Sequence, residues 1–169
     1  LVSKYNEAPE GIVTFKETNL EQAIRDTLEI PTEVLTSDRL IDLTELTSQN
    51  SSIADLSGLE ACINLAVLDL VSNSISNIVP LAKLTNLTKL TLTENSIENV
   101  SSLAELTNLA TLFLDSNEIS DIAPMAKLTN LSYLELANNQ IWDIRSFSSL
   151  TGPTTRLDLS ENQIWDLTV

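Results

Sequence analysis

The stretch LAVLDLVSNSISNIVPLAKLTN, residues 65–86, is followed by LTKLTLTENSIENVSSLAELTN (87–108), LATLFLDSNEISDIAPMAKLTN (109–130) and LSYLELANNQIWDI (131–144). Written one above another at a step of 22, the copies fall into columns. Leu65, Leu87, Leu109 and Leu131 share one. Leu68, Leu90, Leu112 and Leu134 share the next, followed by Leu70, Leu92, Leu114 and Leu136. Then come Asn73, Asn95, Asn117 and Asn139, the Ile75, Ile97, Ile119 and Ile141 column, and Ile78, Val100, Ile122 and Ile144. Four copies without an insertion make chance agreement negligible. Repetition at such a period marks a solenoid, in which each copy is one unit stacked on the next.

Each copy has two halves. Around Leu68 and Leu70 apolar and polar residues alternate, which is strand periodicity. Stacked copies place these strands side by side in a parallel sheet at a spacing of roughly 4.8 Å. The expected strands are 45–47, 67–69, 89–91, 111–113, 133–135 and 156–158. The return half carries Leu81, Leu84 and Leu87 at steps of three, which suits a 3₁₀ or short α turn on the convex side. The Asn column is expected inside the bend, its amides bonding backbone groups of its own and the adjacent copy.

Outward from this centre the pattern decays. Subtracting 22 predicts a first copy at Leu43, Leu46, Ile53 and Leu56, with Ser48 and Ser51 in the slots of a Leu and an Asn; terminal repeats are expected to be atypical. Before it, Thr18-Asn19-Leu20-Glu21 has the form of a capping box. Leu20, Ala23, Ile24 and Leu28 then make one apolar helical face, and Pro31 is expected to close that helix. A second short helix from Thr36 or Ser37 carries Leu40. These helices read as a cap over the first copy, because a bare column end would face water. Ile12–Phe15 is expected to pair as an edge strand. Residues 1–42 are thus lead-in and cap, and 43–169 the repeats, about six, in one continuous domain. The last copy, Leu157, Leu159, Asn162, Ile164 and Leu167, follows at a step of 23, with the extra residue in 151–155. The chain then stops at Val169 before a return half. Two expectations follow: truncation of a longer protein, which the reading favours, or a homodimer joined through the uncapped C-terminal ends, with Trp142 and Trp165 at the contact.

Composition narrows the function. Of 169 residues 43% are apolar but only 4% aromatic, as a core of stacked Leu and Ile requires. The net charge is −15 with no His, so nucleic acid and anionic lipid are set aside as partners. No apolar run approaches the roughly 20 residues of a membrane span. Leu1–Gly11 lacks the basic and apolar regions of a signal peptide, and because the chain does not begin with Met, a leader already removed stays an open alternative. Without His any Ser-His scheme is excluded. No phosphate loop or metal-spaced Cys and His set appears, and no cofactor is expected. Cys62 takes a slot held elsewhere by Leu84, Leu106 and Leu128, so it reads as a buried small hydrophobe.

The unit L-A-K-L-T-N-L-T-K-L-T-L-T-E-N-S-I-E-N-V, Leu81 to Val100, resembles the 22-residue repeat of the internalin-type bacterial leucine-rich-repeat proteins. The segment D-I-A-P-M-A-K-L-T-N-L, Asp121 to Leu131, resembles the same family's linker between strands. N-L-E-x-A-I-R-x-x-L, residues 19–28, resembles its N-terminal cap. A eukaryotic class of phosphatase-regulator repeats shares the period, and the L-T-N-L phrase favours the bacterial branch. The resemblance spans about Phe15 to Val169. It implies an α/β, right-handed leucine-rich-repeat solenoid with a parallel β-sheet on the concave face and an α-helical N-terminal cap. It further implies a non-enzymatic module that binds another protein and is surface-displayed or secreted. Ligands differ between members, so none is carried over.

Alternation points one set of strand residues to the concave face: Val67, Asp69, Lys89, Thr91, Thr111, Phe113, Tyr133, Glu135, Arg156 and Asp158 are the candidate protein-binding residues. Most are polar, as a solvated face requires. Phe113 and Tyr133 are the exceptions. They read equally as an interface anchor and as a cross-strand pair covering the sheet. Glu135 and Asp158 share a column; a surface charge cluster is preferred there to acid–base or Ca²⁺ chemistry, since an open sheet face gives no enclosed pocket. Trp142 and Trp165 hold equivalent slots, either stacking along the lateral edge or forming an interaction patch. Sequons at Asn50, Asn86, Asn99 and Asn130 are weak signals, because the T-N-L-[ST] phrase generates two of them. The rival to a binding module is a spacer region of a larger polypeptide with no ligand of its own.

Overall fold

The computed structural model describes residues 11–150 and 156–165. Helix α1 (Thr18–Leu28) and the short α2 (Ser37–Leu40) precede six strands of three residues: β1 (Glu45–Thr47), β2 (Val67–Asp69), β3 (Lys89–Thr91), β4 (Thr111–Phe113), β5 (Tyr133–Glu135) and β6 (Arg156–Asp158). The strands form one parallel sheet in the order of the chain. Register follows the period: Leu46 pairs Leu68, then Leu90, Leu112, Leu134 and Leu157. All six strands fall where the repeat places them. Between them run 3₁₀ turns at Leu59–Ala61, Val79–Lys83, Ser101–Glu105, Ala123–Lys127 and Arg145–Ser149. Leu81, Leu103 and Met125 point inward from these turns, and the Leu columns at 84, 106 and 128 lie beneath them, all buried. The chain is therefore an α/β leucine-rich-repeat solenoid, with the apolar columns merged into one core from Phe15 to Ile141. Each Leu so enclosed stabilises the fold by about 1.5–3 kcal/mol relative to exposure.

The Asn column binds the rungs together. Asn117 Nδ2 donates to the carbonyls of Leu114 (3.0 Å) and Asp115 (3.2 Å) in its own rung and of Leu92 (3.0 Å) in the preceding one. Its Oδ1 accepts the Ile97 N–H at 3.0 Å. Asn73, Asn95, Asn139 and Asn162 repeat this arrangement. In the first rung Ser51 takes the Asn slot, where its hydroxyl accepts from Ser48 Oγ and donates to the Gln49 carbonyl. The residue before each ladder Asn is left-handed: Ser72, Glu94, Ser116, Asn138 and Glu161 have φ of 53–57°.

A second amide ladder runs on the other side of the rung. Asn64, Asn86, Asn108 and Asn130 each donate Nδ2 to a carbonyl of the preceding rung: Ile41, Ile63, Thr85 and Thr107. In the last three this is the Asn of the T-N-L phrase, which the sequence alone marks only as consensus. At Asn86 and Asn130 it also occupies the amide that a sequon would modify.

The cap corrects three expectations. Glu17, not Thr18, is the residue before the helix, and no side chain caps it. Glu21 is instead drawn to Arg25, at 2.8 Å. The helix ends through a left-handed Glu29, whose N–H donates to the Asp26 carbonyl while Ile30 N–H donates to Arg25. This is a Schellman closure, complete before Pro31 is reached. Ile12 makes a single antiparallel bridge, to Thr36, and does not join the main sheet. The cap is fixed to the first rung at Gly58 (φ 102°), where an added Cβ would lie 2.8 Å from the Phe15 ring.

Candidate functional site: the concave sheet face

Parallel register sorts the outward side chains into three lanes across the rungs. The first holds Glu45, Val67, Lys89, Thr111, Tyr133 and Arg156. The second holds Thr47, Asp69, Thr91, Phe113, Glu135 and Asp158. The third is Gln49, Val71, Thr93, Asp115, Ala137 and Ser160; backbone bonds such as Glu94 N–H to the Asp115 carbonyl carry the pairing past the strand ends.

All ten predicted concave residues lie in the first two lanes. Lys89, Tyr133 and Arg156 are exposed, while Val67, Asp69, Thr111, Phe113, Glu135 and Asp158 are half-buried. Thr91 departs from expectation. It is 7% exposed, and its Oγ1 has no hydrogen-bond partner. Asp69 and Phe113 flank it in register.

Phe113 pairs with Glu135, and Tyr133 with Thr111. The two aromatics are therefore diagonal neighbours, not a directly opposed pair. Diagonal side chains stand about 7–8 Å apart at Cα, within reach of aromatic rings. Tyr133 is 47% exposed.

Glu135 and Asp158 are neighbours, and each already has a use. Arg156 Nε lies 2.7 Å from Glu135 Oε1. Asp158 Oδ1 accepts the Ser160 hydroxyl (2.6 Å) and N–H (2.9 Å), and these bonds hold its carboxyl below the ordinary range. Asp69 accepts the Gln49 amide at 2.8 Å, and Asp115 accepts the Ala137 N–H at 2.9 Å. Among the described residues no group of three or more acidic, Cys or His side chains gathers to hold a metal ion.

Away from this face, Trp142 and Trp165 are 52% and 80% exposed on adjacent rungs, as a shared slot requires. Cys62 is fully buried, and burial, with Glu60 adding to it, pushes its thiol up to about 12. Sequence reasoning missed a further column, Asp55, Asn77, Asn99, Asp121 and Asp143. Each side chain accepts the N–H two residues on and so starts a 3₁₀ turn. Its signal was the recurrence of Asp or Asn at the period of 22. No helix among the described residues is long and apolar enough to cross a membrane.

The model of paired leucine-rich repeats matches residues 63–106 and 107–151. Among solved structures, an internalin of Listeria monocytogenes, InlF, shares 34% identity over 91% of this chain and 46% of its own, with a TM-score of 0.86. The functional domain of InlJ from the same organism, which includes a cysteine ladder, shares 31% identity over 92% of this chain and 34% of its own, with a TM-score of 0.82. Internalin C2 shares 26% identity over 96% of this chain and 94% of its own, with a TM-score of 0.67. The chain thus spans less than half the length of the first two. With Cys62 alone it can build no cysteine ladder. No curated protein matches.

Proposed function

The chain belongs to the leucine-rich-repeat family and is of the internalin type, and from that premise we propose that it is a protein-binding module, working at a cell surface or outside the cell, whose concave sheet recognises another protein. One observation carries the reading. The core columns repeat one residue type from rung to rung, whereas the concave lanes change type at almost every rung. Residues with no packing duty are free to specify a surface. Phe113 and Tyr133 stand diagonally in the middle of it, and aromatic side chains are favoured anchors at interfaces.

The test compares two double variants in binding to a candidate protein ligand. Phe113→Ala with Tyr133→Ala strips the concave anchors. Ile63→Ala with Val79→Ala strips two exposed apolar side chains elsewhere. The reading expects the first pair alone to weaken binding, with both pairs folded by circular dichroism. If the lanes can be altered without effect on any association, the domain serves as a spacer.

A further inference from the structure

The sequence Asn-Gln-Ile-Trp-Asp stands at 139–143 and again at 162–166, on neighbouring rungs. Part of it has a duty inside the fold. Asn139 and Asn162 belong to the amide ladder, Ile141 and Ile164 pack in the core, and Asp143 starts a 3₁₀ turn. Gln140, Gln163, Trp142 and Trp165 have no such duty. All four are exposed, and none makes a side-chain hydrogen bond among the described residues. In the three preceding copies the Gln slot holds Ser74, Ser96 and Glu118, and the Trp slot holds Ser76, Glu98 and Ser120. Packing therefore does not ask for Gln or Trp at these positions.

The backbone fixes how they stand. On this lateral flank a second parallel ladder joins the rungs: Gln140 N–H donates to the Ile119 carbonyl and Gln163 N–H to that of Ile141, both at 2.9 Å. Residues two apart in an extended segment share a side, so each Gln and its Trp lie outside and the Ile between them inside. Segments paired in this way lie about 4.8 Å apart. The flank thus carries two equal stations, each an indole with an amide beside it. Trp142 has a rung on either side and is still 52% exposed. The four residues carry no formal charge on a chain of net charge −15, and Arg145 neutralises Asp143 at their border, at 2.6 Å.

Such stations suit a ligand with flat apolar faces, polar groups at the rim and a short repeat. Linked sugar rings have all three. A pyranose can lay its C–H face on an indole, while its rim hydroxyls pair with an amide that both donates and accepts. In an extended β-1,4-linked glycan one ring follows another at about the step of the rungs. The uncharged strip asks for no counter-charge, and the acidic chain around it repels anionic polymers. Independently of the concave sheet, we propose that this flank binds a neutral, extended glycan along the solenoid axis. One ring lies on Trp142 and the next on Trp165, with Gln140 and Gln163 bonded to their hydroxyls.

The test titrates the intact chain by calorimetry with β-1,4-linked N-acetylglucosamine oligomers of one to four rings, and with the corresponding glucose oligomers. At least one series is expected to bind, to gain about tenfold or more from one ring to two as the second station engages, and to level off beyond two. Trp142→Ala with Trp165→Ala should weaken the two-ring ligand by about tenfold or more. Gln140→Ala with Gln163→Ala should weaken it by about fivefold, as loss of hydrogen bonds does. Ile63→Ala with Val79→Ala, which strips exposed apolar side chains elsewhere, should change it by less than about twofold. Circular dichroism shows that each pair stays folded. No binding by either series at millimolar concentration would overturn the proposal. So would an affinity that climbs evenly with every added ring, a galacturonate oligomer that binds as tightly as the neutral ones, or equal losses from the Trp pair and the Ile63 and Val79 pair. A proline-rich peptide that binds through the two indoles where the sugars do not would replace the glycan with a peptide ligand. Each of these outcomes leaves the reading of the concave sheet to its own test.

Discussion

Asn117→Ala removes four hydrogen bonds, and they are not of equal weight. Three of them end on carbonyls that keep another donor. The Leu92 carbonyl keeps Asn95 Nδ2 at 3.0 Å, that of Leu114 keeps Asn139 Nδ2 at 3.0 Å, and that of Asp115 keeps the Glu94 N–H at 2.9 Å. The fourth is different. Ile97 N–H has Asn117 Oδ1 as its acceptor, in a buried setting. Leaving one buried amide unpaired costs about 1–3 kcal/mol. The gap left by the amide adds about 1 kcal/mol more. The expected loss is therefore about 2–4 kcal/mol. Asn162 makes the same bonds at a half-buried site. Water can replace its oxygen there, so Asn162→Ala should cost about 1 kcal/mol or less. Urea melts followed by circular dichroism give both numbers, provided the slope is unchanged. A loss below about 1 kcal/mol at Asn117, or equal losses at both sites, would refute the claim that an orphaned amide sets the cost. Asn117→Asp sharpens the test. Its carboxylate would face three carbonyl oxygens, so its folded pKa rises above the unfolded value. That variant should be worst at neutral pH and recover as the pH falls toward about 4.

Other outcomes follow from the same structure. Leu112→Asp should abolish folding, since a fully buried carboxylate there has no counter-ion, whereas Thr111→Asp should shift stability by no more than about 0.5 kcal/mol in the same melts. Cys62 should resist thiol reagents in the native chain and react only as fast as the chain unfolds, as timed labelling with and without urea would show. The Arg145 guanidinium, bonded to Asp143 at 2.6–3.1 Å, holds that carboxyl down at about 2, against an ordinary 3.8. A depressed folded pKa contributes stability above the unfolded value, and that stability is lost as pH falls through the folded one. Asp143→Asn should thus be the less stable chain at neutral pH, and its deficit should close between pH 3.8 and about 2 in acid titrations.

The repeat made the fold readable because each rung must solve the same burial problem. Leu at 68, 90, 112 and 134 and Asn at 73, 95, 117 and 139 are the same answers given again. The lanes were readable from the same arithmetic: Phe113 is 22 from Thr91 and Glu135, while Tyr133 is 22 from Thr111. That difference already shows the two aromatics to be diagonal. What the period does not contain lay out of reach. The Schellman closure at Glu29 depends on a left-handed residue that is not Gly, so composition gives no warning of it. The buried state of Thr91 depends on which side chains its two neighbouring rungs carry. Polarity alone predicts it solvated, whereas the structure buries it between Asp69 and Phe113 in register.

That dependence on neighbours bears on where binding energy collects. Of the eighteen lane residues only Thr91 is buried, and it sits on β3, an inner strand of the six. Toward β1 and β6 the lanes open: Glu45, Thr47 and Arg156 are exposed. A bound partner therefore desolvates β3 and β4 most completely and the outer rungs least. Contacts at a fully desolvated centre carry most of the energy, while those at a wet rim carry little. Arg156, on an outer strand and already paired with Glu135, should count for less than its charge suggests. Arg156→Ala should weaken a concave ligand by no more than about threefold, against tenfold or more for Phe113→Ala, when both are titrated against the same partner. The reverse order would move the centre of recognition to the C-terminal rung and away from Thr91.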